Sequence, residues 1–295
     1  MARHRPPGAW PVRGWTGILL VGSFWTLNWS LSGMRTHWGF FPLWLGYCLV
    51  VDAWVWRRSG SSLWTRSRLK YAGLFVASVP VWWLFELINM RTANWYYLGR
   101  SEFSDVEYFL LASLSFSTVL PAVLGTAELV GSSRWVSGLP AGSPLRVPDR
   151  WWWLSLLGAI SLVACLALPR YLFPLVWLSL FLIVDPINFR RGGPSLLRFL
   201  SLGEWRPVIA LGAGSLVCGF FWEMWNFYSY PKWRYEIPFV DFLRLFEMPL
   251  LGYGGYVPFA LELFALYHLM AGALSSGDDS FVRIVSDGYR DAYEC

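Results

Sequence analysis

Two Glu-x-x-Asn pairs are the residues of this chain best suited to chemistry. Glu86 and Asn89 form the first pair, Glu223 and Asn226 the second, each near the end of a strongly apolar segment. A helix presents residues three apart on one face. A carboxyl group desolvated in apolar surroundings can stay protonated at neutral pH, so each Glu could act as a general acid with its Asn orienting it. The alternative is that each Glu locks neighbouring helices through hydrogen bonds.

Aromatic residues surround both pairs. A ring face beside an acid can stack on a polyene or stabilise a developing carbocation. Many of the 21 tryptophans are expected to lie in interfacial belts instead. Glu262 could join Glu223 if the last two apolar segments pack together. The residues predicted to contact a substrate are Trp83, Trp95, Trp222, Trp225, Trp233, Tyr235 and Glu262.

The composition is that of a polytopic membrane protein. Of 295 residues, 56% are hydrophobic and only 15% are charged, which excludes an ordinary soluble domain. Eight apolar segments have about the length that crosses a bilayer, roughly 20 residues. They cover residues 14–32, 39–56, 71–90, 106–130, 151–168, 172–189, 207–228 and 246–272. The predicted fold class is therefore all-α, with eight transmembrane helices.

Local similarities predict that the chain is an internal duplication. Besides the Glu-x-x-Asn pairs, Phe41-Pro42-Leu43-Trp44 matches Phe173-Pro174-Leu175-Val176-Trp177, and Arg57-Arg58 matches Arg190-Arg191. We predict two four-helix repeats, 14–130 and 151–272, related by an axis along the membrane normal. A Gly/Ser/Pro-rich linker, 131–150, joins them. Residues 1–13 form an N-terminal segment, and residues 273–295 form a polar tail predicted to be exposed.

The positions of Lys and Arg predict the orientation. Most of the 24 basic residues fall at the termini and in the even-numbered loops, which places both termini in the cytoplasm of a plasma or inner membrane. The net charge of +5 then reflects topology and contact with anionic lipid. We expect membrane lipids and an apolar isoprenoid or pigment as partners, and a membrane-protein complex as a further partner, but no nucleic acid.

The cysteines and histidines do not indicate a metal or redox site. Cys48, Cys165, Cys218 and Cys295 show no paired spacing, and the three histidines are scattered. No cofactor, metal or disulfide is therefore expected.

The end of the last apolar segment carries helix-breaking residues. Gly252, Gly254 and Gly255 lie between Pro249 and Pro258. Irregular backbone at membrane depth is tolerated where it is buried or lines a cavity, so this segment predicts a pocket. Residues 238–246 just before it are predicted to form a short amphipathic interfacial helix.

One motif resembles a known group of proteins. Trp222-Glu223 followed by Tyr230-Pro231 looks like the Trp-Glu motif of the small integral-membrane terpene cyclases. The duplicated helical unit with intramembrane acids is similar in plan to the lycopene cyclase domain of bacterial and fungal carotenoid synthesis. The resemblance implies that Glu223 protonates an alkene or epoxide, with Glu86 as its counterpart, and that the resulting cation closes a ring.

Three functions follow as expectations. The first is an enzyme that acts on an isoprenoid or other lipid by proton-initiated cyclisation or isomerisation. The second is a non-catalytic subunit or scaffold of a pigment or energy-coupling complex, and the third is a transporter. An enzyme predicts a closed apolar pocket with Glu223 in its wall, a scaffold predicts fully paired acids and no pocket, and a transporter predicts a wet path to both faces.

Overall fold

Helices make up most of the protein. The computed structural model describes residues 9–147, 149–274 and 281–285. The α-helices are α1 Val12–Ser30, α2 Phe40–Ser59, α3 Leu63–Arg66, α4 Arg68–Thr92, α5 Asp105–Phe116, α6 Val119–Gly131, α7 Arg134–Ser137, α8 Trp152–Ala167, α9 Pro169–Leu172, α10 Val176–Arg190, α11 Leu196–Ser201, α12 Arg206–Phe227 and α13 Tyr256–Leu274. The strands are β1 Trp95–Leu98, β2 Lys232–Tyr235, β3 Arg244–Leu245 and β4 Met248–Pro249, and the 3₁₀ segment Leu250–Gly255 precedes α13.

Five helical segments of the described residues are long and apolar enough to cross a membrane, which indicates membrane integration. They are Arg68–Thr92, Asp105–Gly131, Pro169–Arg190, Arg206–Phe227 and Leu250–Leu274. The other three predicted spans are also helical, as α1, α2 and α8, but they do not reach the same combination of length and hydropathy. The count of eight transmembrane helices therefore stays a prediction.

The predicted span 106–130 is broken in the middle. A turn at Ser117-Thr118 separates α5 from α6. The hydroxyl of Ser117 donates to the Leu114 carbonyl at 2.6 Å and that of Thr118 to the Ser115 carbonyl at 2.8 Å. Hydroxyl groups that bond to nearby backbone compete with regular helix bonds, which accounts for the break at these two residues.

Glycines let the helices cross closely in both halves of the chain. A Cβ atom on Gly17 of α1 would lie 2.7 Å from the carbonyl oxygen of Gly46 in α2, and one on Gly158 of α8 would lie 2.7 Å from that of Ser179 in α10. Both distances are shorter than a real contact permits. Only glycine at these two positions allows the backbones to approach this closely.

Two short antiparallel sheets lie between the helices. Strand β1 pairs with β2, so that Trp95 lies opposite Tyr235 and Tyr97 opposite Trp233, and β3 pairs with β4. We call the β1–β2 sheet the ribbon. The ribbon joins the segment after α4 to the segment after α12, two regions far apart in sequence.

The predicted amphipathic helix at residues 238–246 is wrong. The segment forms turns that lead into β3. Phe239, Leu243 and Phe246 have positive φ angles, a conformation that a right-handed helix does not contain. The alternation of apolar and charged residues here thus belongs to a compact turn.

The prediction of an exposed C-terminal tail is wrong for residues 281–285. Phe281, Val282, Ile284 and Val285 are buried, since apolar side chains leave water when a core is available. The carbonyl of Phe281 accepts from Arg66 Nε at 2.6 Å, and the Arg283 amide donates to Glu128 at 2.6 Å. The rest of the tail lies outside the described residues.

Candidate functional site

Each Glu-x-x-Asn pair contacts one strand of the ribbon: Glu86 and Asn89 contact β1, and Glu223 and Asn226 contact β2. We call Glu86, Asn89, Trp95 and Tyr97 the first corner. We call Glu223, Asn226, Trp233 and Tyr235 the second corner. In each corner a helix ends and the chain turns back as a strand, so both the helix and the strand supply side chains to one place.

In the first corner the Asn89 side chain ties α4 to β1. Its Nδ2 donates to the Trp95 carbonyl at 2.8 Å, and its Oδ1 accepts from the amides of Asn94 at 2.9 Å and Trp95 at 3.3 Å. The chain makes this tight turn through Ala93, which has a left-handed conformation with φ of 50°. Asn89 satisfies backbone groups that the end of a helix leaves unpaired.

Asn226 does the same in the second corner. Its Nδ2 donates to the Trp233 carbonyl at 2.8 Å, and its Oδ1 accepts from the Trp233 amide at 3.0 Å. Both asparagine side chains therefore form their hydrogen bonds with backbone groups. The geometry gives them a role in positioning the strands, whereas the sequence predicted that each Asn orients its Glu or hydrogen-bonds a substrate.

The Glu86 carboxyl accepts three hydrogen bonds on one oxygen. Its Oε1 receives the indole N–H of Trp82 at 2.8 Å, the indole N–H of Trp95 at 3.0 Å and the hydroxyl of Tyr97 at 2.5 Å. The residue is partly buried. Three donors from α4 and β1 thus hold this one oxygen in place.

The Glu223 carboxyl is enclosed differently. Its residue has no exposed surface. The hydroxyls of Tyr235 and Tyr256 each donate to Oε1 at 2.7 Å, whereas Oε2 has no hydrogen-bond partner among the described residues. A buried oxygen without a partner favours a form in which it carries a proton or meets another polar group.

The ribbon brings the two corners to the same cavity. Because side chains alternate along a strand, Trp95, Tyr97, Trp233 and Tyr235 project from one face of the ribbon. All four line a cavity of about 340 Å³. The cavity thus has residues of both corners along one wall.

Aromatic and aliphatic side chains from distant parts of the chain form most of the remaining surface. Trp222 and Tyr256 stack with ring centroids 6.0 Å apart, and Phe259 packs edge-on against Trp222. The remaining wall comprises Thr36, His37, Phe40, Trp82, Asn94, Arg100, Phe103, Tyr108, Leu111, Ala112, Ser115, Phe116, Val119, Phe173, Pro174, Trp177, Ser229, Pro231, Lys232, Ile237, Val240, Met248, Leu251, Gly252 and Gly255.

The interrupted last span lines this cavity, as its glycines predicted. Leu251, Gly252 and Gly255 belong to the 3₁₀ segment, and Tyr256 begins α13. A Cβ atom on Gly252 would lie 2.5 Å from the sulfur of Met248. The prediction of a pocket at this segment is confirmed.

The expectation that Glu223 lies in the wall of the pocket is wrong: neither Glu223 nor Glu86 lines the cavity. Phenol and indole groups lie between each carboxyl and the open space: Tyr235 and Tyr256 in front of Glu223, and Trp82, Trp95 and Tyr97 in front of Glu86. Burial raises the pKa of the Tyr97 and Tyr235 hydroxyls well above the usual value, and the neighbouring glutamates add to that rise. These phenols therefore stay protonated and keep donating at neutral pH.

Three residues predicted to contact a substrate lie away from the cavity. The Trp83 indole donates to Ser113 at 2.9 Å and stacks on Phe109. Trp225 is buried among other aromatic rings. Glu262 accepts from the Leu180 amide at 3.0 Å, because α13 turns this face toward α10 and away from Glu223.

Sequence reasoning missed Tyr97, Tyr256 and Asn94. Tyr97 and Tyr235 each follow their corner's glutamate by about a dozen residues, a regularity that could have found them once a strand was assumed. Tyr256 and Asn94 carry no comparable signal. Tyr256 reaches Glu223 only because α13 packs against α12.

The charged residues of the cavity wall are both cationic. Lys232 pairs with Glu247, and Arg100 pairs with Asp105 and lies 4.2 Å from the ring centroid of Tyr108. Among the described residues, no group of three His, Cys, Asp or Glu side chains could hold a metal ion.

Comparisons with protein-family models, with characterised proteins and with solved structures find no match to this chain. The resemblance to terpene cyclases therefore stays an expectation that rests on residues 222–231.

Proposed function

We propose that this protein is an integral membrane enzyme that binds an isoprenoid or similar lipid in the cavity and acts on it by acid/base chemistry centred on Glu223. The observation that carries the proposal is the cavity itself, because its wall contains Tyr235 and Tyr256, the two tyrosines that donate hydrogen bonds to Glu223. A scaffold has no need of such a space. No metal or redox step is required by this chemistry.

The cavity suits an apolar ligand. Its volume lies at the lower end of the range typical of small-molecule sites, roughly 300–1,000 Å³, and its walls are predominantly aromatic. Rings from Trp222, Tyr256 and Phe259 adjoin the phenol hydroxyls. Aromatic faces attract a cation, so a positive charge that develops on a ligand here is stabilised.

The hydrogen bonds supply a proton route. For this route the Glu223 carboxyl turns so that its protonated oxygen faces the two phenols. Tyr235 or Tyr256 then turns its hydroxyl from Glu223 toward the ligand, gives that proton to a double bond and takes the proton of Glu223. After ring closure or bond migration, the cation loses a proton, and the same phenol and carboxyl accept it. The net reaction is a cyclisation or isomerisation, in which atoms and charge balance without a co-reactant.

Helix α5 lines the cavity with one face and is exposed on the other. Tyr108, Ala112 and Phe116 of α5 line the cavity, a stripe that runs about 12 Å along the helix at 1.5 Å per residue. The opposite face of α5 is exposed and apolar at Val106, Phe109, Leu110 and Leu114. A helix of this kind faces lipid, which favours a ligand that enters from the bilayer.

The membrane arrangement is part of the proposal. We infer eight spans in two four-helix repeats, with the ribbon outside and both termini in the cytoplasm. The matched asparagines support the duplication. Asp52 of α2 and Asp185 of α10 form a second match. Asp52 accepts a hydrogen bond from the Trp64 amide in α3, and Asp185 accepts one from the Leu197 amide in α11, both at 2.9 Å.

The proposal is tested by turnover and by the lipids bound to purified protein. Lipid extracts of protein purified from its membrane are analysed by mass spectrometry, and the isoprenoids found are then offered as substrates. The Glu223→Gln variant keeps the shape of the side chain but removes the transferable proton. Product formation should fall by about 10²- to 10⁴-fold, the usual contribution of a well-placed general acid.

Glu262→Gln is the matched control. It makes the same change in a buried acid that lies outside the cavity, and turnover should stay near that of the wild type. Equal losses in both variants, or full activity in Glu223→Gln, would contradict the proposed role of Glu223.

A further inference from the structure

The indole N–H of Trp233 is a buried donor without a partner. Its nitrogen has almost no accessible surface, and it makes no hydrogen bond to any of the described residues. Water in the cavity does not reach a nitrogen that is covered in this way. A buried donor that stays unpaired carries a cost, and in folded proteins such groups nearly always find a partner.

The equivalent tryptophan of the first corner has such a partner. In each corner the asparagine side chain donates to a tryptophan carbonyl at 2.8 Å, that of Trp95 in the first and that of Trp233 in the second. The two tryptophans therefore occupy equivalent places. The indole N–H of Trp95 donates to Glu86 at 3.0 Å. By this correspondence, the acceptor for Trp233 is Glu223.

Glu223 offers an acceptor of the matching kind. Its Oε2 is buried and unpaired among the residues that the structure describes, whereas two phenols donate to Oε1. The Trp233 N–H is near enough to the Glu223 carboxyl and the Tyr235 hydroxyl to influence both, although it forms a hydrogen bond with neither. A turn of the carboxyl group therefore joins an unpaired donor to an unpaired acceptor.

We propose that Trp233 is a positioning residue whose indole N–H donates to the Glu223 carboxylate once this acid has given up its proton. Before the transfer the carboxyl group is neutral. After the transfer it carries a full charge in a place without exposed surface, where a charge is costly unless donors surround it. This inference rests on the acid role proposed for Glu223 and adds the group that stabilises its ionised form.

Trp233→Phe tests the inference in turnover, because it removes the N–H and keeps an aromatic ring in the cavity wall. The kcat for the isoprenoid substrate should fall about 10-fold, since hydrogen bonds to charged groups are the strong ones. The buried N–H does not touch the ligand, so KM should change less than about 3-fold, as expected when an interaction made only during the reaction is lost.

The second readout is the pH at which the Glu223 carboxyl loses its proton. It is followed through the infrared band of the protonated carboxyl in full-length protein in lipid nanodiscs, and Glu223→Gln identifies the band by removing it. A hydrogen bond donated to a carboxylate favours the ionised form. Trp233→Phe should therefore move the midpoint upward by about one pH unit, which corresponds to a 10-fold change. The titratable groups that act on Glu223 are the same in both proteins: Tyr235, Tyr256, Glu247 and Tyr253.

Trp225→Phe is the matched control. The Trp225 indole is also buried and unpaired among the described residues, but it lies among other rings away from the cavity. This variant should keep the wild-type kcat and the wild-type infrared midpoint. If phenylalanine at position 233 prevents folding, benzothienylalanine at that position makes the same test at constant shape, because sulfur replaces the N–H.

Three results would overturn the inference. An unchanged midpoint in Trp233→Phe would show that the N–H does not stabilise the carboxylate, and an equal shift in Trp225→Phe would show that the effect is not specific to Trp233. A rise in KM with unchanged kcat would mean that the ring only shapes the wall. All three leave the proposed reaction standing. A shifted midpoint in a protein that turns over no isoprenoid would instead support the pairing of Trp233 with Glu223 and count against the proposed function.

Discussion

The first and second corners share a backbone design but differ in the environment of the carboxyl group. In both corners an asparagine lies one turn after the glutamate and donates a hydrogen bond to the carbonyl of a tryptophan in the next strand. This tryptophan is Trp95 in β1 and Trp233 in β2. Glu86 takes its donors from its own helix and from β1. Glu223 takes one from β2 and one from α13, and it keeps one oxygen unpaired. The same four-residue signature thus gives a partly buried carboxyl group with three donors on one oxygen in the first corner, and a fully buried carboxyl group with two donors on one oxygen in the second.

The difference shows that the asparagine contacts depend on local sequence, whereas the full set of glutamate contacts also depends on tertiary packing. The asparagine contacts lie within about seven residues, so the local sequence is enough to form them. The donors of Glu86 and one donor of Glu223 lie within twelve residues as well, but Tyr256 reaches Glu223 only through the packing of α13 on α12. Two copies of the signature can therefore share the role of the asparagine while the surroundings of the glutamate differ.

The largest effect that would separate the corners is on turnover. Glu86→Gln should lower product formation less than about 10-fold, whereas Glu223→Gln lowers it by about 10²-fold or more. The reason is that three donors already hold Oε1 of Glu86, which lies behind them, whereas Oε2 of Glu223 has no partner among the described residues and can carry the proton. Both variants are assayed on the same isoprenoid at matched protein concentration, with folding checked by thermal unfolding. A larger loss in the Glu86 variant would reverse the assignment of the two corners.

The next largest effect is on stability, and here the two corners should lose a similar amount. Asn89→Ala and Asn226→Ala each remove two or three contacts to buried backbone groups, so each should lower the free energy of unfolding by about 2 kcal/mol. Thermal unfolding in detergent micelles measures both.

Leu110→Ala is a control for this measurement, since its exposed side chain on α5 contributes little to the core. A loss confined to one of the two asparagines would break the comparison and leave only one corner held by its amide.

The smallest effect is a dependence of stability on alkaline pH. The folded-state pKa values of Tyr97 and Tyr235 lie above the ordinary tyrosine value of 10.0 because burial disfavours the phenolate. The unfolded chain therefore releases these protons first. The stability they contribute is fully present below about pH 10 and is lost as the pH rises further.

Thermal unfolding between pH 8 and 11 checks this expectation. The melting temperature of the wild type should fall more steeply above pH 10 than that of a Tyr97→Phe/Tyr235→Phe double variant. Identical slopes would mean that the two phenols titrate alike in the folded and unfolded protein.

Much of the helical layout could be predicted from the sequence because it depends on local apolar patterns. Every one of the eight predicted segments contains a helix, although only five helical segments have the length and hydropathy of a membrane span. The turn at Ser117-Thr118 was missed because its cause, hydroxyl groups bonding to the preceding turn, competes only weakly with an otherwise apolar helix pattern. The failed helix at residues 238–246 has a similar origin: composition suggested amphipathicity, but the backbone adopts positive φ angles there.

By itself the sequence determined that acids, amides and aromatic rings are duplicated near helix ends, because residue type and short spacing are local properties. Only the tertiary structure decided which of them meet. The pairing of β1 with β2 places Trp95 and Tyr97 against Trp233 and Tyr235 across more than 130 residues, and the packing of α13 on α12 delivers Tyr256 to Glu223. Glu262, Trp83 and Trp225 have the right chemistry, yet they face other neighbours. The direction in which a helix turns each side chain depends on contacts far away in the chain, and no short pattern records those contacts.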